Sequence, residues 1–409
     1  MTTESILPKL ASAREAARAL PDLRAHFSSF LTSDPERLHF CAHSHHPWPD
    51  VTRAAQLRAW EDAAQHIDAK WEGVFGELLP RVQRGIAQHL GLSVPDRIAF
   101  APNTHEFLAR LFTCLDARPG QAVRVLTTDA EFHSASRQFA RWEEAGLVEV
   151  ERVSAQPFGD FEQRLGEAIA RGGHDLVLFS HVHFDSGYVT RSLAELVSAV
   201  PDERTLVVVD GYHGFLALPT DLSAIEGRAF YVSGGYKYAM SGEGVCFLHC
   251  PDGYAERPLD TGWFAAFGEL ADPPSPGAVP YSKGGWRLWG ATFDPSALYR
   301  IAAVFDWLDE LGLDAAAIHA RVSTLQCALL AELLELDHPA FRAEQLLPGP
   351  EAPDRGHFLT FRSSEAGAHQ AWLSERKVVT DHRADRLRLG VGVYHTHEEI
   401  EALGRRLRG

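Results

Sequence analysis

Between residues 97 and 250, seven short apolar runs alternate with stretches of helical spacing. The runs are "RIAFAP", "AVRVLTTD", "LVEVERV", "HDLVLFSHV", "RTLVVVDG", "AFYVSGGY" and "GVCFLHC". Most are continuous in Val, Leu, Ile and Phe, the pattern of strands covered on both faces. Helices fit between them at 104–117, 133–146, 160–171, 190–200 and 221–227. This alternation predicts an α/β fold whose mostly parallel sheet is sandwiched by helices. In such sheets, ligands bind outside the carboxyl ends of the strands.

Polar clusters follow those ends. They are Asn103, Thr104 and His105; Asp129, Glu131, Phe132 and His133; His183, Asp185 and Ser186; Asp210 and His213; and Ser233 with Lys237. Loops are polar in any protein. Repetition after five strands favours a single site assembled from several strand ends.

The flanks read differently. The first 37 residues are polar and helical, and "LHFCAHSHHPWPD" is a short strand with a Pro-rich turn. Residues 51–91 are helical. Residues 254–290 are rich in Gly, Pro and aromatics and form a long connection. Helices near 313–336 and 364–376 and a strand near 386–393 give a smaller α+β part. The expected organisation is a large domain over 46–295 and a small one from 1–45 with 296–409.

The formal net charge of −16 argues against nucleic acid or an anionic membrane as partner. The five cysteines are scattered, against a disulfide framework. The "AHSHHPWP" histidines invite a metal but come without a tight ligand set, so a metal site stands only as the minority reading and none is expected. The N-terminus has no apolar core of a secretory signal, and no apolar run is long enough to span a bilayer. A cytoplasmic protein is expected.

One lysine stands out. The chain has only Lys9, Lys70, Lys237, Lys283 and Lys377, and Lys237 sits in "SGGYKYAMSGEG" at a strand end. Asp210 ends another strand in "VVVDGYHG". The two could form a salt bridge, or each could be a satisfied polar group. A third reading is chemical. A partly desolvated lysine can form a Schiff base with a carbonyl, and pyridoxal 5′-phosphate (PLP) needs such a lysine with an acid at its ring nitrogen. "FAPNTHEFLARL" supplies Thr104 and His105 at a helix start, where phosphate binds. Phe132 in "TDAEFHS" offers either a stacking face or a core contact. No G-x-G-x-x-G follows a strand convincingly, so nucleotide binding has no support.

"VVVDGYHG" followed by "GGYKYAMSGEG" resembles the class V aminotransferase family of fold-type I PLP enzymes, and kynureninase-like members most closely. The resemblance extends from "LHFCAHSHHPWPD" to "LRLGVGVYHTHEEIEAL". It implies that Lys237 binds the cofactor covalently and moves protons, that Asp210 bonds the ring nitrogen and that His213 lies near the ring oxygen. It implies further that Phe132 stacks on the ring and that Thr104, His105, Tyr236 and Ser233 serve the phosphate. Asn103, beside Thr104, and Asp185, after another strand, complete the expected cofactor set. "GATFDPS" resembles the segment that sends a threonine, here Thr292, to the phosphate of a neighbouring subunit, which implies a homodimer with shared sites. "RLRLGVGVYHTHEE" matches the segment of the substrate-carboxylate arginine, here Arg388.

The substrate is then an α-amino acid. His43, His45, His46, Trp48, Tyr188, Trp263 and Arg383 are candidate lining residues, and their aromatic and imidazole groups suit a planar side chain. Desulfurases carry a cysteine before the carboxylate arginine, and "SERKVVTDHRADR" has none. Its "TDHR" is similar to the Asp-x-Arg of kynureninases. The expected activity is a kynureninase-like C–C hydrolase or β-lyase. Transamination with a keto acid, racemisation and a catalytically silent binding protein stand as alternatives.

Overall fold

The computed structural model describes residues 3–115, 121–269 and 277–409. Its centre is a seven-stranded sheet built from the seven apolar runs. These are β2 (Ile98–Ala101), β3 (Val123–Thr128), β4 (Val148–Val153), β5 (Leu176–Ser180), β6 (Leu206–Asp210), β7 (Phe230–Gly234) and β8 (Cys246–His249). A two-residue strand, β1 (Leu38–His39), precedes them. The order is β2-β8-β7-β6-β5-β3-β4, with β8 antiparallel to both neighbours and the other neighbouring pairs parallel.

Composition explains the order of burial. In β5, β6 and β7 every residue is buried, which suits a strand covered on both faces. The edge strand β4 instead exposes Glu149, Glu151 and Arg152. Charges on an exposed edge discourage pairing with another chain. Helices Thr104–Phe112, His133–Glu144, Phe161–Ala170 and Leu193–Ser198 connect the strands. The part of the first expected helix at 116–117 lies outside the described residues, as does 270–276 of the Gly/Pro-rich connection. Residues 221–227 form turns instead of the expected helix. Asp221 Oδ1 accepts from Ser223 N at 2.9 Å, a local bond that competes with helix formation.

A second, four-stranded antiparallel sheet has the order β12-β13-β10-β9. Its members are β9 (Leu346–Leu347), β10 (Phe358–Arg362), β12 (Asp381–Arg383) and β13 (Arg386–Gly390). The short β11 (Val378–Val379) pairs in parallel with β1 and ties the segment entering residue 40 to this region. The same segment is held again where Gly390 N donates to Phe40 O at 2.7 Å. Helix Ala315–Leu334 packs against the amino-terminal helix Thr3–Arg18 and is apolar around most of its circumference. No described helix is long and apolar enough to cross a membrane.

One close approach positions the end of β6. A Cβ on Gly211 would lie 1.9 Å from Cζ of Tyr231. Tyr231 is fully buried, with its hydroxyl 3.3 Å from His181 Nδ1, so its ring cannot swing aside. Gly211→Ala is therefore expected to cost ~1–3 kcal/mol of stability by overpacking. A fall in the urea midpoint at constant m-value checks this. An unchanged midpoint would show that the turn after β6 has room for a side chain.

Candidate active site

The site lies at the carboxyl ends of β2, β3, β5, β6 and β7. After β7 the chain folds back tightly: Gly235 N donates to Val245 O and Ser241 N to Gly235 O, both at 2.9 Å. A Cβ on Gly235 would meet Ser241 Oγ at 2.3 Å, so the turn requires glycine there. This turn places Lys237 inside the protein. Its Nζ donates to the main-chain carbonyls of His43 at 3.0 Å and Ser44 at 3.4 Å. It also lies 5.9 Å from the Phe132 ring centroid and 5.1 Å from that of Tyr236. Burial, and then the Arg388 charge, push the lysine down to about 7. Lys237 and Asp210 form no direct ion pair, in contrast to the simplest reading of the two motifs.

Asp210 ends β6 and accepts from Tyr212 N at 2.9 Å through one oxygen. Burial pushes its carboxyl up to about 6, against the Tyr212 amide and the Lys237 charge. Directly across the sheet, Ser180 of β5 is paired with it in register. Ser180 Oγ donates to Glu131 Oε2 at 2.6 Å and its N–H to Oε1 at 3.2 Å, while Thr128 Oγ1 donates to Oε1 at 2.6 Å. Burial pushes Glu131 up to about 7.

A small cleft opens here. Seven of the expected residues line it: Asn103, Thr104, Phe132, Asp210, His213, Tyr236 and Lys237. Ser134, Ser180, Val182, Phe184 and Tyr212 also line it and were missed from the sequence. Ser180 and Ser134 were accessible to the strand-end argument, but which strands are neighbours is not written in a strand's own residues.

The remaining expected residues sit elsewhere. His105 follows Thr104 by one helical position, about 100° around the axis, and faces solvent. Ser233 is buried and donates to Gly211 O at 3.2 Å. Asp185 pairs with Arg386 at 3.3 Å. Thr292 is exposed and does not line the cleft of its own chain. Trp48 packs under the Arg300 guanidinium, 5.1 Å from its ring centroid. Tyr188 stacks on Phe158 at 4.9 Å and lines a separate cavity. Trp263 packs at a tilt against Phe264, with ring centroids 4.2 Å apart.

The histidine cluster divides in the same way. The His43 ring stacks on Phe358 at 4.8 Å, and its Nε2 lies 3.0 Å from Asp381 Oδ1. His45 is exposed and stacks on Tyr236 at 5.0 Å. His46 is buried, with Nδ1 2.8 Å from Pro47 O. Cys41, His43 and Asp381 bring one donor each within 4.8 Å of one another. Both Asp381 oxygens, however, already hold Arg388, so that carboxylate is neutralised. Arg388 is buried, and Arg383 lies 3.7 Å from Asp381 on the exposed side.

These residues fit pyridoxal phosphate. Phe132 offers a flat face, and the second oxygen of Asp210 has no protein donor among the described residues. His213 is buried on the cleft with Nδ1 unpartnered. The nine-residue helix Thr104–Phe112 turns its amino end to the cleft, where free main-chain N–H groups favour an anion.

The Aminotransferase class-V model matches residues 72–403. No curated protein sequence matches the chain. Among solved structures, a variant of C-DES with glycine covalently linked to its PLP cofactor is similar in fold. The TM-score is 0.79 at 20% identity, covering 95% of this chain and 99% of that one. The cystine C–S lyase C-DES in complex with its reaction product cysteine persulfide gives 0.79 at 20% identity, over 93% and 99%. An apo cysteine desulfurase from Thermococcus onnurineus NA1 gives 0.77 at 17% identity, over 95% and 98%. With the family model spanning most of its length and a cleft whose residues fit the cofactor, the chain belongs to the class V aminotransferase family and is a pyridoxal-phosphate-dependent enzyme.

Proposed function

We propose that this enzyme removes a β-substituent from an α-amino acid, with Lys237 carrying the proton at Cα. The observation behind this reading is the state of the Lys237 amine. It is buried on the cleft, held only by main-chain carbonyls and pushed down to about 7. Such an amine is a base at neutral pH rather than a fixed ammonium.

When bound, pyridoxal phosphate supplies an electron sink for the pair left at the substrate's Cα. Lys237 would hold it through Nζ, Asp210 at the ring nitrogen, His213 at the ring oxygen and Phe132 on one face. Thr104, Asn103 and Tyr236 would serve its phosphate. Arg388 would bind the substrate carboxylate. Lys237 Nζ takes the Cα proton, and the apolar Val182, Phe184 and Phe132 keep water from that side of the cleft. Overall, an S-substituted cysteine and one water give a thiol, pyruvate and ammonium.

Elimination is supported over transamination by the likeness to C-DES, a cystine C–S lyase. The desulfurase route lacks support for a different reason: no cysteine lines the cleft among the described residues. Cys246 lies behind Thr104, with Sγ 3.6 Å from Oγ1, and Cys41 is buried, its thiol pushed up to about 12. The exposed Thr292 supports a homodimer in which each copy lends this residue to the other's phosphate.

Three outcomes are expected. Holoenzyme given L-cystine or an S-alkyl-cysteine should release pyruvate and sulfur product with no keto acid added, measured by a coupled lactate dehydrogenase assay. Turnover that requires a keto acid, or alanine released from L-kynurenine, would replace this reading by transamination or C–C hydrolysis.

The rate should also depend on pH in a definite direction. A base lowered to about 7 is protonated and idle below that pH. Accordingly, kcat should climb as pH rises to about 7 and level off above it. The Arg388 charge lowers Lys237, so Arg388→Met should move the inflection to higher pH. Lys237→Ala should lower kcat by about 10²–10⁴ and abolish the inflection. An unchanged profile in Lys237→Ala would remove Lys237 from the role of base.

Light scattering coupled to size exclusion should report a dimer. A fully active monomer would exclude the shared site.

A further inference from the structure

Arg388 is not an unencumbered carboxylate receptor. A guanidinium has five N–H groups and no acceptor. Nε of Arg388 donates to Asp381 Oδ1 at 2.9 Å, Nη2 donates to Oδ2, and Nη1 donates to the Phe184 carbonyl. One N–H on each Nη remains, with no other protein acceptor among the described residues. The Nε/Nη2 pair is committed to Asp381, and one N–H on each Nη is not used by these bonds. Those two are available to a ligand oxygen without displacing Asp381.

Asp381 is itself tightly placed. It stands directly opposite Arg388 across β12 and β13. Its Oδ1 also meets His43 Nε2 at 3.0 Å, and the His43 carbonyl is the one that receives Lys237 Nζ. Burial opposes its ionisation, but the His43 ring and the Arg388 guanidinium hold its carboxyl well below the usual range. Phe184, whose carbonyl takes the other side of Arg388, lines the cleft. The guanidinium is thus clamped between a carboxylate and a main-chain oxygen, with one N–H on each Nη left uncommitted.

We propose that Asp381 is the positioning residue for the substrate's α-carboxylate, occupying one edge of Arg388 so that the other edge faces the cleft. This rests on the reading of the substrate as an α-amino acid and deepens it. Asp381 touches neither the reacting atoms nor the substrate. It acts through Arg388, so its removal should fall on carboxylate recognition.

The test compares L-alanine with L-alaninamide as ligands of the holoenzyme, by calorimetry. Alanine has no β-leaving group, so the comparison stands even where the elimination assay fails. Asp381→Asn should weaken L-alanine binding by about tenfold or more and leave L-alaninamide within about twofold. Asp381→Glu, which keeps the carboxylate, should recover part of the loss. With a turned-over substrate, KM should rise by more than kcat falls. Cofactor content and melting temperature, measured on each variant, report folding, and Arg388→Lys provides a second variant with the same expected alanine-selective loss. Unchanged or tighter alanine binding in Asp381→Asn would overturn the proposal, since it would show a carboxylate that is idle or that competes for Arg388. Equal weakening of both ligands in correctly folded Asp381→Asn would overturn it too.

Discussion

A lysine amine buried at a sheet end, with main-chain carbonyls as its acceptors, is the constraint from which the rest of the site follows. An ammonium there has lost its hydration and has gained no carboxylate contact. Arg388 adds repulsion. The amine thereby gives up its proton near neutral pH, and the carbonyls that orient it must be fixed from outside the sheet. That explains how residues 40–46 are held. Pairing of β1 with β11, the Phe40–Gly390 bond and the bond from His46 N to Tyr236 O at 3.2 Å leave the segment little freedom. The histidines in it serve packing as much as chemistry. Burial pushes His43 and His46 down to about 4, so both are neutral rings that fit apolar surroundings.

How much of this was legible follows from where the information sits. Strands β5, β6 and β7 announce themselves because a strand covered on both faces must be apolar throughout. Asp210 and Lys237 were conspicuous for the converse reason, as charges at the ends of such strands. Lateral order was not legible. That Ser180 lies beside Asp210 depends on β5 being the neighbour of β6, and nothing local to either run encodes it. His105 and Trp48 show a different limit. Proximity in sequence to a site residue does not fix direction, and one helical step turns His105 to solvent. His43 was expected for its ring, yet its carbonyl is what reaches the lysine. Main-chain roles leave no trace in residue type.

Glu131 illustrates how a buried carboxyl can work without reaching the cleft. It collects the hydroxyls of Thr128 and Ser180 and the Ser180 amide. A buried hydroxyl used as a donor toward Glu131 offers only lone pairs in other directions. Toward an ionised Glu131, Ser180 therefore meets the cleft as an acceptor, next to Asp210, another acceptor. The floor between β5 and β6 is consequently rich in acceptors and suits a ligand that brings a protonated ring nitrogen.

The cluster behind Phe184 has the opposite character, and it comes from another sheet. Arg388 and Arg383 carry two positive charges against the single carboxylate of Asp381, while Lys237 is lowered to about 7 and only partly charged. Arg383 is half exposed, so water screens its share. Arg388 is buried and keeps its two unused N–H groups out of water. Leaving such donors unpaired is costly. A ligand anion that reached them would satisfy both and offset the excess positive charge. The His43–Asp381 contact ties this arginine cluster to the segment whose carbonyl receives Lys237, so the guanidinium and the amine are positioned through one short stretch of chain.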